Sequence, residues 1–316
     1  MIMQSQATNE YAFVHDFCVS ALLSTQNSDG GWGFAPNSAT RVEPTCWAVR
    51  ALRNANIGPQ EPWKAAIEFL LSSQLKDGSW PAVPGASDGC WATSLACSVL
   101  SDDREHQKSI QAGLKWLCGD FPRDSTLWRR MFSAIRSSNA VNIHDDSFRG
   151  WGWTPRTSSW VEPTAFAMQA LSDVPAEWRP RSSASRLSLA VGLLYDRMCP
   201  GGGWNCGNPL VYGIAGEPLV LPTCWALLAL HHYPSHERKS MSLDWLLRTF
   251  PIISSPASLA VARITLETYG KECPKLHHDL REILDPRTFS YNAQVVSWIS
   301  LALSPDRQWF APEITT

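Results

Sequence analysis

Gln26-Asn-Ser-Asp-Gly30-Gly-Trp32 and Gln74-Leu-Lys-Asp-Gly78-Ser-Trp80 spell one pattern, QxxxGxW, twice in the first quarter of the chain. Met198-Cys-Pro-Gly-Gly202-Gly-Trp204 keeps the Gly and Trp without the Gln, and Arg149-Gly150-Trp151 keeps only the tail of the pattern. A second block follows each turn. It reads Pro44-Thr-Cys-Trp-Ala-Val-Arg-Ala-Leu52, Ala92-Thr-Ser-Leu-Ala-Cys-Ser-Val-Leu100, Pro163-Thr-Ala-Phe-Ala-Met-Gln-Ala-Leu171 and Pro222-Thr-Cys-Trp-Ala-Leu-Leu-Ala-Leu230. Trp and Thr stand thirteen positions apart in three copies and nineteen in the fourth, which carries a longer loop. Fixed phasing of this kind marks a structural repeat.

Working outward from the turns, each is preceded by apolar residues at helical spacing, such as Ala66, Phe69 and Leu70 before Gln74. The unit is therefore helix, Gly-Trp turn, helix. Pro44, Pro163 and Pro222 suit a first helical turn, where the missing amide hydrogen costs nothing. The second helix is almost wholly apolar and Ala-rich, so it belongs inside, and its amphipathic partner belongs outside. Residues 237–249 with 257–269, and 275–284 with 292–303, read as two further hairpins without the turn motif. The expectation is an all-α chain forming one domain over residues 1–316, a closed (α/α)6 toroid of about six hairpins around an apolar cavity. Residues 119–146 are too long for a plain connection and are expected to carry an extra helix, Ser125 to Arg136, on one rim.

Composition narrows the function classes. With 44% hydrophobic residues, 18% charged residues and a net charge of -2, nothing argues electrostatically for nucleic acid. Sixteen Trp against six Tyr is the unusual feature. Such residues serve either as mortar between repeats or as faces toward an apolar or cationic guest. The nine Cys form no CxxC pairs and lie mostly in apolar helical stretches, as reduced core thiols would. No signal-peptide pattern opens the sequence and no apolar window is long enough to span a bilayer. A cytoplasmic protein is expected, with peripheral membrane contact left open.

The QxxxGxW turns resemble the repeat of squalene and oxidosqualene cyclases, which recurs more loosely in protein prenyltransferase beta subunits and plant terpene cyclases. The resemblance covers about residues 10 to 231 by motif and the remainder by periodicity. It implies the toroid fold and an isoprenoid substrate. Squalene-type cyclases place their cavity between two toroids, and this sequence holds one. The resemblance thus implies a lone cyclase-like domain, a homodimer or a subunit paired with a second toroid.

Class II cyclases protonate an alkene or epoxide with the middle Asp of DxDD, and no DxDD occurs here. Setting the family Thr on the repeat Thr puts Glu43 and Glu162 in the place of that acid. Each Glu precedes Pro at a helix start, where a carboxylate also simply complements the dipole. Arg41 would favour the charged form of Glu43, which leaves Glu162, beside Trp160, the better candidate acid. The aromatics Trp47, Trp91, Trp160, Phe166, Trp225 and Trp298 are the candidate substrate-binding walls, each able to stabilise a cation by about 0.5 to 2 kcal/mol. The Asp, Cys and His that hold zinc in the prenyltransferases find no matching set, since Cys224 lacks the Asp and Ser290-Tyr-Asn offers no His. No metal and no resident cofactor are expected. Mg²⁺ enters only with a diphosphate substrate, and His144-Asp145-Asp146 is the polar cluster considered for it. The alternative function is a non-catalytic toroid that binds a lipid, an isoprenoid or a protein partner.

Overall fold

The computed structural model of the chain describes residues 2–55, 57, 61–119, 145, 147–211, 213–273 and 292–304. These residues form eleven α-helices: α1 (Ile2–Ser24), α2 (Val42–Asn54), α3 (Trp63–Ser72), α4 (Ala92–Leu100), α5 (Gln107–Gly119), α6 (Val161–Asp173), α7 (Ser183–Asp196), α8 (Val220–Leu230), α9 (Glu237–Thr249), α10 (Pro256–Thr268) and α11 (Ala293–Leu303). The only sheet among the described residues is the short antiparallel hairpin of Leu210–Val211 and Ile214–Ala215. It sits in the long loop that stretches the fourth Trp-to-Thr spacing. The rim helix expected at Ser125 to Arg136 and the hairpin member expected at 275–284 lie outside the described residues.

Burial sorts the helices as their sequences dictate. Every residue of α4 is buried, as is α8 from Pro222 to Leu230, whereas α3 buries only Ala66, Ile67, Phe69 and Leu70. The largely buried helices α2, α4, α6, α8, α10 and α11 each pack against the next, and α11 packs against α2, so that they close a ring. Around it, α3, α5, α7 and α9 each lie on the inner helix just before them in the chain. The first helix has no predecessor. Instead α1 packs on α11, the last inner helix, and so continues the same rule across the join.

Hydrogen bonds explain the spacing seen in the sequence. The amide hydrogens of Trp32, Trp80, Trp151 and Trp204 are donated to Oγ1 of Thr45, Thr93, Thr164 and Thr223, each at 2.9 Å. The indole N–H of each Trp reaches back to the end of a preceding outer helix, at the carbonyls of Leu22, Leu70, Leu117 and Leu194. Gln26 and Gln74 donate both to their own turn and to the next outer helix segment, through Pro62 O and Ser109 O. Gly78 holds φ +93, and a Cβ there would meet the Ala112 backbone at 2.7 Å, so the turn requires glycine.

The residue two beyond each turn Trp makes the joint between repeats. Ala82 O accepts from Val42 N, Trp153 O from Trp91 N, and Cys206 O from Val161 N. Phe34 O accepts from Ala293 N at 3.1 Å, so the first turn caps the last inner helix. These bonds set the starts of neighbouring inner helices side by side, which makes the helices parallel. At the other end Arg53 donates to Val99 O and Tyr269 Oη to Leu227 O, again joining like ends.

Thr93→Val keeps the shape and removes the acceptor of a fully buried amide. It is expected to cost about 1–3 kcal/mol, read as a lower denaturant midpoint with an unchanged slope. A loss within error would mean that the thirteen-residue spacing is not held by this bond.

Candidate active site

Parallel inner helices bring all their N-termini to one mouth of the ring. Glu43 and Glu162 both sit in first turns there, on α2 and α6. A helix N-terminus favours carboxylate, whereas burial favours the neutral acid, and here burial wins. Burial pushes Glu43 up to about 7, helped by the facing charge of Glu162, against the opposing pull of Trp91 and of Gln294, whose Nε2 donates to Glu43 Oε1 at 3.1 Å. The Trp91 indole lies beside Glu43 but outside the geometry of a formed hydrogen bond. Burial alone pushes Glu162 up to about 6. Cys90 and Cys206, raised mainly by burial, feel the charges of Glu43 and Glu162 respectively.

The sequence ranks Glu162 above Glu43 on account of Arg41; in the structure burial raises both carboxyls. Arg41 is not among the groups that act on Glu43; its backbone pairs with Trp32 at the turn. Trp160 is 37% exposed, and its backbone bridges to Trp151.

Beneath the carboxylates, Trp47, Phe166, Trp225 and Trp298 converge from four inner helices. Trp47 lies 5.3 Å from Trp225, 5.7 Å from Trp298 and 6.2 Å from Phe166, while Trp225 lies 5.2 Å from Phe166 and 5.6 Å from Trp298, all as ring centroids. These edge-on and tilted contacts contribute about 0.5–1.5 kcal/mol each beyond burial. They bear on the expected cavity at this level of the axis. The rings plug the axis against one another, and the void beside Trp47 and Phe166 measures only about 10 Å³, room for about one water. The indole nitrogens of Trp47 and Trp298 are buried without a hydrogen-bond partner. Trp91 stacks edge-on against Trp153 at 5.2 Å on the rim. Around the mouth, Phe34, Val83, Trp160, Ile214 and Leu219 form an exposed apolar collar.

The opposite end is polar in a way the repeat pattern did not announce. Arg50 donates to Ser98, Ser98 to Asp173, and Arg50 pairs with Asp173 at 3.5 Å. Burial raises Asp173 in spite of Arg50. Lys239 donates to the carbonyls of Leu230, Tyr233 and Pro234, and Arg179 to those of Ser172 and Val174, closing helix C-termini with cations. Arg50 and Asp173 were signalled only as charges inside otherwise apolar helices. Of the His144-Asp145-Asp146 cluster only Asp145 is described, and it turns back to Ser147 N. Among the described residues no three His, Cys, Asp or Glu gather as metal ligands, and no helix is long and apolar enough to cross a membrane.

No protein-family model matches the chain. Lanosterol synthase erg7A of Aspergillus fumigatus is 35% identical over 69 residues, 19% of this chain and 9% of that protein. Drimenyl diphosphate synthase of Streptantibioticus cattleyicolor is 26% identical over 222 residues, 67% of this chain and 36% of that protein. The sequence likenesses support the terpene cyclase superfamily. They also fix a difference of scale, since this chain corresponds to about a third or less of each relative. Among solved structures, the type II terpene cyclase MstE from Scytonema superposes with TM-score 0.52 at 15% identity, over 93% of this chain and 80% of that one. A glycosidase in complex with glucose superposes with TM-score 0.59 at 10% identity, over 98% and 99%. The architecture alone therefore selects no chemistry.

Proposed function

We propose that the chain is a six-hairpin toroid that processes an isoprenoid by class II cyclisation, with Glu43 as the general acid and Glu162 as its partner. The observation that carries this reading is the pair of carboxyls at one mouth, each raised by burial above the ordinary range, Glu43 to about 7 and Glu162 to about 6. In the proposed step the O–H bond of Glu43 breaks as the π electrons of a terminal alkene, or an epoxide oxygen, take the proton. The tertiary cation so formed is closed on by the next double bond, and a final loss of a proton to solvent balances the reaction. Aromatic faces at the mouth, Trp91 first, would stabilise the cation. The exposed collar would receive the isoprenoid chain, with a second copy, a second toroid subunit or a membrane surface as its cover. The chemistry takes no resident metal or cofactor.

The second reading, a non-catalytic toroid that binds a lipid or protein, is favoured by one specific observation. Among the described residues, the rings of Trp47, Phe166, Trp225 and Trp298 pack on one another, and the void beside Trp47 and Phe166 is too small for a polyene. Incubating the purified protein with C15 to C30 polyprenyl alcohols, diphosphates and epoxides, with and without Mg²⁺, distinguishes the two. Cyclic products are expected; recovery of every substrate unchanged would leave the binding toroid. Elemental analysis is expected to find substoichiometric zinc, and one tightly held Zn²⁺ per chain would instead turn the reading toward a prenyltransferase-like subunit.

A further inference from the structure

We infer that Gln294 is the positioning residue for Glu43, and that it holds the acid only because the ring is closed. The inference rests on the proposed function. Gln294 lies in the first turn of α11 and Glu43 in that of α2, 251 positions apart in sequence. What brings them together is the seam of the ring, where Phe34 O takes the first amide of α11 and α2 packs along α11.

The bond determines what Glu43 can do. Gln294 Nε2 is a donor, so the carboxyl oxygen it touches, Oε1, must act as acceptor. In the protonated acid this assigns the hydrogen to Oε2 and leaves that oxygen to donate elsewhere. Without Gln294 either oxygen could carry the proton and the carboxyl group could rotate. The same bond favours the carboxylate and so opposes burial, which keeps the acid strong enough to give its proton up. The other groups that act on Glu43 are Glu162 on α6 and Trp91 before α4, while Cys90 and Cys46 feel its charge in turn. Gln294 is thus the hydrogen-bond donor formally engaged with it among the described residues. Among the described residues Glu162 has no counterpart of this kind, and burial is the cause of its shift.

The test is carbon-13 titration of the glutamate carboxyls in the full chain, with the Glu43 signal assigned by its loss in Glu43→Gln. Gln294→Met, similar in length but without a donor, is expected to move the Glu43 midpoint up by about half a unit to one unit. Gln294→Lys, a charged donor, is expected to move it down. A residue that merely packs would not give shifts of opposite sign. Turnover is then compared at a pH where Glu43 is protonated in both proteins. Gln294→Met is expected to lower kcat about tenfold with KM little changed. A midpoint unmoved by both variants, or a shifted midpoint with undiminished kcat, overturns the inference. Absence of product from the unaltered protein would count against the proposed function instead, and the titration would still decide whether Gln294 holds Glu43.

Discussion

Glu43→Gln is expected to lower product formation about a hundred- to ten-thousand-fold while making the folded protein more stable above neutral pH. The amide keeps the size of the acid and its acceptor oxygen for Gln294 but has no proton of comparable acidity. The stability effect follows from linkage. Folding raises the Glu43 carboxyl from 4.5 to about 7, so the folded state binds this proton more tightly than the unfolded state. That contribution is fully present below 4.5 and is lost as pH rises through about 7. Above that point the native protein carries a buried carboxylate that the variant lacks, a difference of about 3 kcal/mol in favour of the variant. If Glu43 only marked a helix start, the substitution would have the opposite sign, costing about 0.3–1 kcal/mol. Urea unfolding at pH 5 and pH 8 separates the two, and destabilisation at pH 8 would remove the basis for the acid. Activity of the unaltered protein should fall as pH rises through about 7. Glu162→Gln should act in the same direction with a smaller effect, since its carboxyl is raised only to about 6.

The partner of Glu43 could not have been read from the sequence, and the reason is geometric. Arg41 precedes Glu43 by two residues, and sequence proximity made it the natural partner. In an extended residue preceding a helix, proximity along the chain does not place side chains together. What reaches Glu43 comes from the far end of the chain, through a ring closure that no local pattern encodes. The repeat itself was legible because its bonds are local. Trp80 and Thr93 stand thirteen apart because a short loop returns the chain to set an amide on a hydroxyl, and the spacing repeats wherever that loop keeps its length. The one stretched copy, Trp204 to Thr223, keeps the bond at 2.9 Å and lets the added residues form the small hairpin.

The aromatic positions show the limit of the same reading. Trp47, Phe166, Trp225 and Trp298 converge on one another, but in a sequence a ring on a buried helix face looks the same whether it meets a guest or another ring. Only the distances between helices decide. Here the Ala-rich inner helices approach closely enough for the four rings to meet, so they fill the centre. A guest at the level of these four rings would have to displace them, and two unpartnered indole N–H groups already weaken the cluster by about 1–3 kcal/mol each.

Trp80→Ala is expected to destabilise the fold by about 3–5 kcal/mol, at the upper end of what one side chain contributes. Trp80 is completely buried, and its role differs from that of the axial rings. Its indole N–H is held by Leu70 O at 2.6 Å, and its backbone carbonyl takes the Cys90 amide at 3.0 Å. Its six-membered ring lies so close to Gly113 that a Cβ there would stand 2.8 Å away. One side chain thereby ties α3, the turn before α4, and α5. Truncation opens a cavity among three elements and strips the Leu70 carbonyl of its donor, and the backbone bonds on either side prevent the gap from closing. Trp80→Phe should recover most of the packing and lose the indole bond, leaving a cost of about 1–3 kcal/mol. Because stability in a repeat structure is a sum over units and their interfaces, the loss should fall first on amides of α3, α4 and α5 in hydrogen exchange. Uniform loss of protection around the ring would show instead that the closed ring opens as a single unit. A cost below about 1 kcal/mol for Trp80→Ala would mean that the Trp of the turn is not what joins one hairpin to the next.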